Sequence, residues 1–135
     1  MSILVRLTTK SDLCSVTMNY TITSAPVAAV EKDEILRLMR SNFPWGGEAD
    51  LWYRWGYEQT PYRANSCWLI ETEDRERVGF TSLMPRRMKV AEHVCDVGQA
   101  ANLNVQIEHR GTAAAIKLQR AVVSHVDVDG APTDR

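Results

Sequence analysis

The chain has 135 residues, with 16 Lys and Arg against 17 Asp and Glu and a net charge of −1, which suits one domain with a core of its own. So balanced a charge argues against a nucleic acid or an acidic membrane surface as the main partner, and no apolar run approaches the roughly 18 residues that cross a bilayer. The cysteines Cys14, Cys67 and Cys95 are odd in number and far apart, which suits reduced thiols in a cytoplasm better than a disulfide scaffold.

Residues 1–17 show no sustained period and carry Arg6, Lys10 and Asp12, so they read as a mobile extension and a poor signal peptide. The first strand is expected at Met18–Ile22. Ser24 is placed to cap a helix over about 27–41, with Pro26 in its first turn and Ile35, Leu38 and Met39 on one face. Pro44 and Gly46–Gly47 break it. The spacing of Leu51, Trp52 and Trp55 predicts a short second helix, and Trp45, Trp52, Trp55 and Tyr57 read as core packing between helix and sheet, or else as an acceptor pocket.

Two strand-like runs follow, Cys67–Glu71 and Arg77–Met84, joined by the charged stretch Thr72–Glu76, which predicts a hairpin. Pro85 is expected to end the returning strand. Residues 93–107 carry a fourth strand, expected to bend at Gly98 and to leave one edge exposed. A helix over about 112–126 puts Ala114, Leu118, Ala121 and Val122 on one face, and 127–135 is a polar tail expected to be disordered. The whole is an α+β chain: an extension at 1–17, a mostly antiparallel domain at 18–126 in the order β-α-α-β-β-β-α, and the tail.

Within it, Leu103–Ile107 alternates as a strand and runs into Arg110–Gly111–Thr112 and an alanine-rich helix. A strand, a glycine turn and a helix N-terminus make an anion-binding device, because first-turn amides are unpaired and the helix dipole favours negative charge there. The stretch Arg110, Gly111, Thr112, Ala113, Ala114, Ala115 resembles the acetyl-CoA-binding motif of the GCN5-related N-acetyltransferase (GNAT) superfamily, Arg/Gln-x-x-Gly-x-Gly/Ala at the start of a long helix. Arg110 fits the first position, Ala115 the last, and Ala113 stands where the family usually has Gly. If the turn needs a left-handed residue there, Ala costs roughly 1 kcal/mol. The segments Leu51–Trp52 to Pro61–Tyr62, Val78–Gly79 and Arg110–Gly111 also look like their counterparts in polysaccharide-modifying members.

The resemblance implies a GNAT-like fold and acetyl-CoA as co-substrate. Its diphosphate would lie on the amides of Gly111, Thr112, Ala113, Ala114 and Ala115 with Arg110 at the edge, and its thioester arm along the backbone of Asn104, Val105 and Gln106. It also implies an amine acceptor, small molecule or peptide. The family continues past this helix with a further strand, helix and hairpin, and the proton donor in many members is a Tyr on that later helix. The chain is therefore expected to be truncated and weakly active or inactive, or else a non-catalytic acyl-CoA-binding or interaction module. Dimerisation through the fourth strand is the expected use of its open edge. No general acid or base is assigned; Glu92, Asp96 and Glu108 are the carboxylates near enough in sequence to be candidate bases. His93 and Cys95 share a strand face, but two ligands do not make a zinc site, so no metal is expected.

Overall fold

The computed structural model describes residues 3–6, 15–42, 48–61 and 65–125. Pro44, Trp45, Gly46, Gly47, Tyr62, Cys14 and the tail after His125 lie outside these. Two short strands, β1 (Ile3–Arg6) and β2 (Ser15–Met18), pair antiparallel within the stretch expected as an extension. The main sheet is antiparallel in the order β3-β4-β5-β6, from β3 (Thr21–Pro26), β4 (Ser66–Glu71), β5 (Arg77–Val90) and β6 (His93–Val105). Helices α1 (Lys32–Asn42) and α2 (Glu48–Tyr53) lie between β3 and β4, and α3 (Ala114–His125) follows β6.

β4 and the first half of β5 are covered on both faces, so their apolar residues run nearly unbroken from Cys67 to Ile70 and from Val78 to Met84. Alternation divides β4 between two cores. Cys67 and Leu69 join Phe80, Ile35, Leu38, Met39 and Tyr53 under α1 and α2. Trp68 and Ile70 join Val78, Val105, Ala114, Leu118 and Val122 under α3. Gly79 sets how closely the second layer packs. A Cβ there would stand 2.6 Å from Ile70 Cγ2, 3.0 Å from the Asn104 carbonyl and 3.1 Å from Leu118 Cδ1.

Several sequence expectations change. The first main-sheet strand is Thr21–Pro26 rather than 18–22, because Ile22 pairs with Ile70 and Pro26 with Ser66. Ser24 and Pro26 are therefore strand residues and not a helix cap; a 3-10 turn at Val27–Ala29 intervenes, and α1 starts at Lys32. The strand also continues through Pro85, which sits opposite Gly98, to Val90. Gln106 N–H bonds the Val78 carbonyl, and this fixes which residues face β6. By that alternation Pro85 turns its nitrogen toward β4, whose last pair is Ser66 with Leu83, so no ladder bond is lost.

The bend in β6 is not at Gly98 either. The register jumps between Phe80–Asn104 and Ser82–Ala101, so Asn102 and Leu103 together oppose Thr81. Asn102 takes φ +57°, a left-handed conformation that asparagine tolerates better than most residues. Beyond Met84 the β5–β6 hairpin extends past the core as an exposed arm.

Candidate functional site

The bulge and the β6–α3 connection hold the features that can bind or react. Alternation directs the amides of Asn104 and Gln106 toward β5, and the Gln106 N–H is taken by the Val78 carbonyl at 2.8 Å. Of the three strand residues expected to meet a thioester arm, Val105 is the one facing the open edge. Its carbonyl accepts from Arg110 Nε at 3.1 Å, and Arg110 Nη2 bonds Asn42 Oδ1 at the end of α1. The Arg110 side chain thus lies back across the β6 edge.

After a 3-10 turn at Ile107–His109, Gly111 takes φ +77° and faces open space on the side where a Cβ would sit. The left-handed residue of the loop is therefore Gly111 and not Ala113, so the alanine carries no left-handed penalty. Thr112 Oγ1 accepts from the Ala114 N–H at 3.3 Å and donates to the His109 carbonyl at 2.6 Å. Tyr20 Oη reaches the same Thr112 oxygen at 3.2 Å and His109 Nδ1 at 2.8 Å, which ties the loop to the start of β3. Lys117 Nζ stands 5.6 Å from the centre of the Tyr20 ring. The first-turn amides of Ala115 and Ile116, which α-helix geometry leaves without intrahelical partners, follow directly.

A second polar cluster, only weakly marked in the sequence pattern, sits at the bulge. α2 runs into a π-helical turn, Arg54–Glu58, a geometry that recurs at functional sites. This turn delivers Tyr57 against Phe80 (ring centres 6.4 Å apart) and brings its hydroxyl to Ser82 Oγ at 2.8 Å. Asn102 Nδ2 donates to the Tyr57 hydroxyl at 2.6 Å, and Ser82 Oγ donates to the Ala101 carbonyl at 3.2 Å. Burial pushes the Tyr57 hydroxyl above the usual phenol range, against the pull of its bonds to Ser82 and Asn102. Asn104, 1% exposed, donates to the Asn102 carbonyl at 2.8 Å, while its Oδ1 has no hydrogen-bond partner among the described residues. The readable signal was an asparagine pair interrupting a strand pattern, since asparagine is depleted in strands.

Other sequence candidates do not converge. Trp52 and Trp55 are 45% and 61% exposed, not core; they form an edge-to-face pair beside a groove of about 400 Å³ with Glu48 and Leu51. The helix instead buries Ala49 and Tyr53, because its inward face is set by α1 and β4. Asp96 pairs with Arg87 at 3.1 Å on the exposed arm, six residues or roughly 20 Å of strand from Asn102. Glu92 lies at the arm's turn, and Glu108 is exposed in the 3-10 turn. Cys95, like His93, is exposed on that arm, and its Sγ meets the Met88 carbonyl at 3.6 Å. Among the described residues no group of three or more His, Cys, Asp or Glu could hold a metal, and no helix is long and apolar enough to cross a membrane. Burial raises the Cys67 thiol to about 11, too high for a nucleophile at neutral pH.

No protein-family model and no curated protein matches the chain. Solved structures do. A GCN5-related glucosamine N-acetyltransferase region of a fungal multi-domain GH3 β-N-acetylglucosaminidase superposes with a TM-score of 0.64 at 15% identity, covering 89% of this chain and 13% of that one. Glucosamine-6-phosphate N-acetyltransferase from Arabidopsis thaliana gives 0.54 at 15% identity over 82% of this chain and 77% of that one. An acetyltransferase from Trypanosoma brucei gives 0.52 at 16% identity over 83% and 78%. With its four-stranded antiparallel sheet between α1–α2 and α3, the chain has the fold of the GCN5-related N-acetyltransferase superfamily.

Proposed function

We propose that the chain is an N-acetyltransferase-like protein that binds acetyl-CoA along the open edge of β6 and at the N-terminus of α3. One observation carries this. The outward-facing Val105 backbone, the left-handed Gly111 and the first turn of α3 follow one another without interruption, so a ligand with an amide-bearing arm and a diphosphate would meet strand backbone and then helix amides in order. Gly111 to Ala115 would hold the phosphates. Bound there, the co-substrate supplies an activated acetyl thioester. The acceptor is an amine on a small molecule or peptide, met in the cytoplasm.

Transfer is expected to be weak. Among the described residues β6 has a neighbour on one side only, and no carboxylate or histidine joins the Tyr57 network. The same facts favour the second reading, a non-catalytic acyl-CoA-binding module. Calorimetry with CoA tests the site: Gly111→Asp places a carboxylate against the diphosphate, and aspartate tolerates positive φ. Strong loss of affinity is expected, and unchanged binding rules the site out. Release of CoA thiol with a panel of amines separates enzyme from binder; turnover near 1 per second or faster would make this a competent enzyme. A second copy could instead pair on the β6 edge, so the dimer should dissociate as CoA is added.

A further inference from the structure

The geometry points to Asn102 as the group that recognises the acyl carbonyl, with Tyr57 as the residue that positions it; this rests on the acyl-CoA reading above. The bulge re-aims Asn102 by giving it a left-handed backbone in the middle of an edge strand. Its side-chain amide has two N–H groups. One is spent on the Tyr57 hydroxyl at 2.6 Å, and the other has no partner among the described residues. The amide cannot turn freely, because the hydroxyl that receives it is fixed in turn. Because Ser82 spends its hydrogen on the Ala101 carbonyl at 3.2 Å, the Tyr57 hydroxyl is left to donate to Ser82 Oγ at 2.8 Å. Four groups therefore point one way, from the Asn102 amide to a backbone carbonyl, and leave a single donor unspent at its head. A donor held in place by an ordered chain and half-exposed at the strand edge suits a carbonyl oxygen, since it needs no reorganisation on binding.

Two further facts agree. Asn104 fastens the Asn102 backbone by donating to its carbonyl at 2.8 Å, while its own buried Oδ1 lacks a partner among the described residues, so hydrogen-bonding capacity there is left unfilled beside the bulge. Burial keeps the Tyr57 hydroxyl protonated well past neutral pH, so the chain keeps its direction. The position also suits the ligand. An arm that starts from phosphates at Gly111 and runs back along the β6 edge past Val105 next meets Leu103 and Asn102.

The test compares acetyl-CoA with S-ethyl-CoA, which keeps the two carbons and the sulfur but has no carbonyl, by calorimetry on the full chain. The wild type should bind acetyl-CoA about fivefold more tightly, the worth of one hydrogen bond. Asn102→Asp replaces the donor by an acceptor and keeps the tolerance for positive φ; it should abolish the preference for acetyl-CoA over S-ethyl-CoA. Tyr57→Phe should reduce the preference about twofold to threefold by freeing the amide. The infrared stretch of carbonyl-labelled acetyl-CoA should fall on binding to the wild type and not to Asn102→Asp, a readout that a purely structural asparagine would not move. If Asn102→Asp does not fold, the wild-type preference, the wild-type carbonyl shift and Tyr57→Phe still decide. Binding of both ligands with no preference, or a preference retained in Asn102→Asp, overturns the inference and leaves the acyl-CoA reading standing. Failure of both ligands to bind overturns that reading as well.

Discussion

Under α3 the sheet buries Trp68, Ile70, Val78, Leu83, Val105, Leu118 and Val122, and the layer closes so tightly that Gly79 has no room for a methyl group. Under α1 and α2 the same sheet buries Phe80, Leu69, Leu38 and Met39, but Tyr57, Ser82, Asn102 and Asn104 thread through that side with their hydrogen bonds almost, not entirely, satisfied. Apolar packing is worth more per residue than a neutral hydrogen bond, whose net value is about 1 kcal/mol. A fold selected for stability alone has little reason to prefer the second arrangement. The α3 face relies on apolar packing throughout, whereas the α1–α2 face, with a larger set of buried apolar residues, also carries this polar network beside β6.

The sharpest way to break this contrast is to cut into each face and compare unfolding by urea. Leu118→Ala, at a fully buried site against β5, should cost about 3 kcal/mol. Gly79→Ala should cost about 2 kcal/mol, because the clash is with Ile70, Leu118 and backbone rather than with a flexible tip. Tyr57→Phe should cost only about 1 kcal/mol although it touches two hydrogen bonds. A loss equal to that of Leu118→Ala would mean that the polar network is structural after all. Trp55→Ala on the exposed side of the π-helical turn should stay within about 0.5 kcal/mol.

A pH series sharpens the comparison from another side. Cys67 is in the α1–α2 core, with its folded pKa raised to about 11 above an unfolded value near 8.5. The folded state then holds the thiol proton more tightly than the unfolded chain. Its stabilisation is fully present below about pH 8.5 and is lost as pH rises toward 11. Melting temperature should therefore fall more steeply across that window in the wild type than in Cys67→Ala, whose curve lacks this titration. Equal slopes would show that the thiol is not desolvated.

Where local chemistry decides, the sequence was readable. The charged stretch Thr72–Glu76 turns the chain as expected, with Arg75 at φ +61° and Thr72 and Glu76 hydrogen-bonded across it. The stripe Ala114, Leu118, Val122 is the buried face of α3, because a helix can bury only residues three or four apart. The α+β element order and the resemblance carried by Arg110–Ala115 led to the right fold. Where neighbours decide, it was not readable. Ser24 and Pro26 look like the start of a helix until β4 offers them a ladder, and Pro85 looks like a strand end until β4 is seen to stop beside it. Trp52 and Trp55 have core composition on the wrong side of a helix whose inward face α1 and β4 select. The bulge depends on register, a property of two strands and not of one, so Gly98 drew the expectation that belonged to Asn102. Periodicity and turn chemistry are written into neighbouring residues. The meeting of Tyr57, Ser82 and Asn102 joins positions far apart along the chain, and only packing brings them within hydrogen-bonding distance.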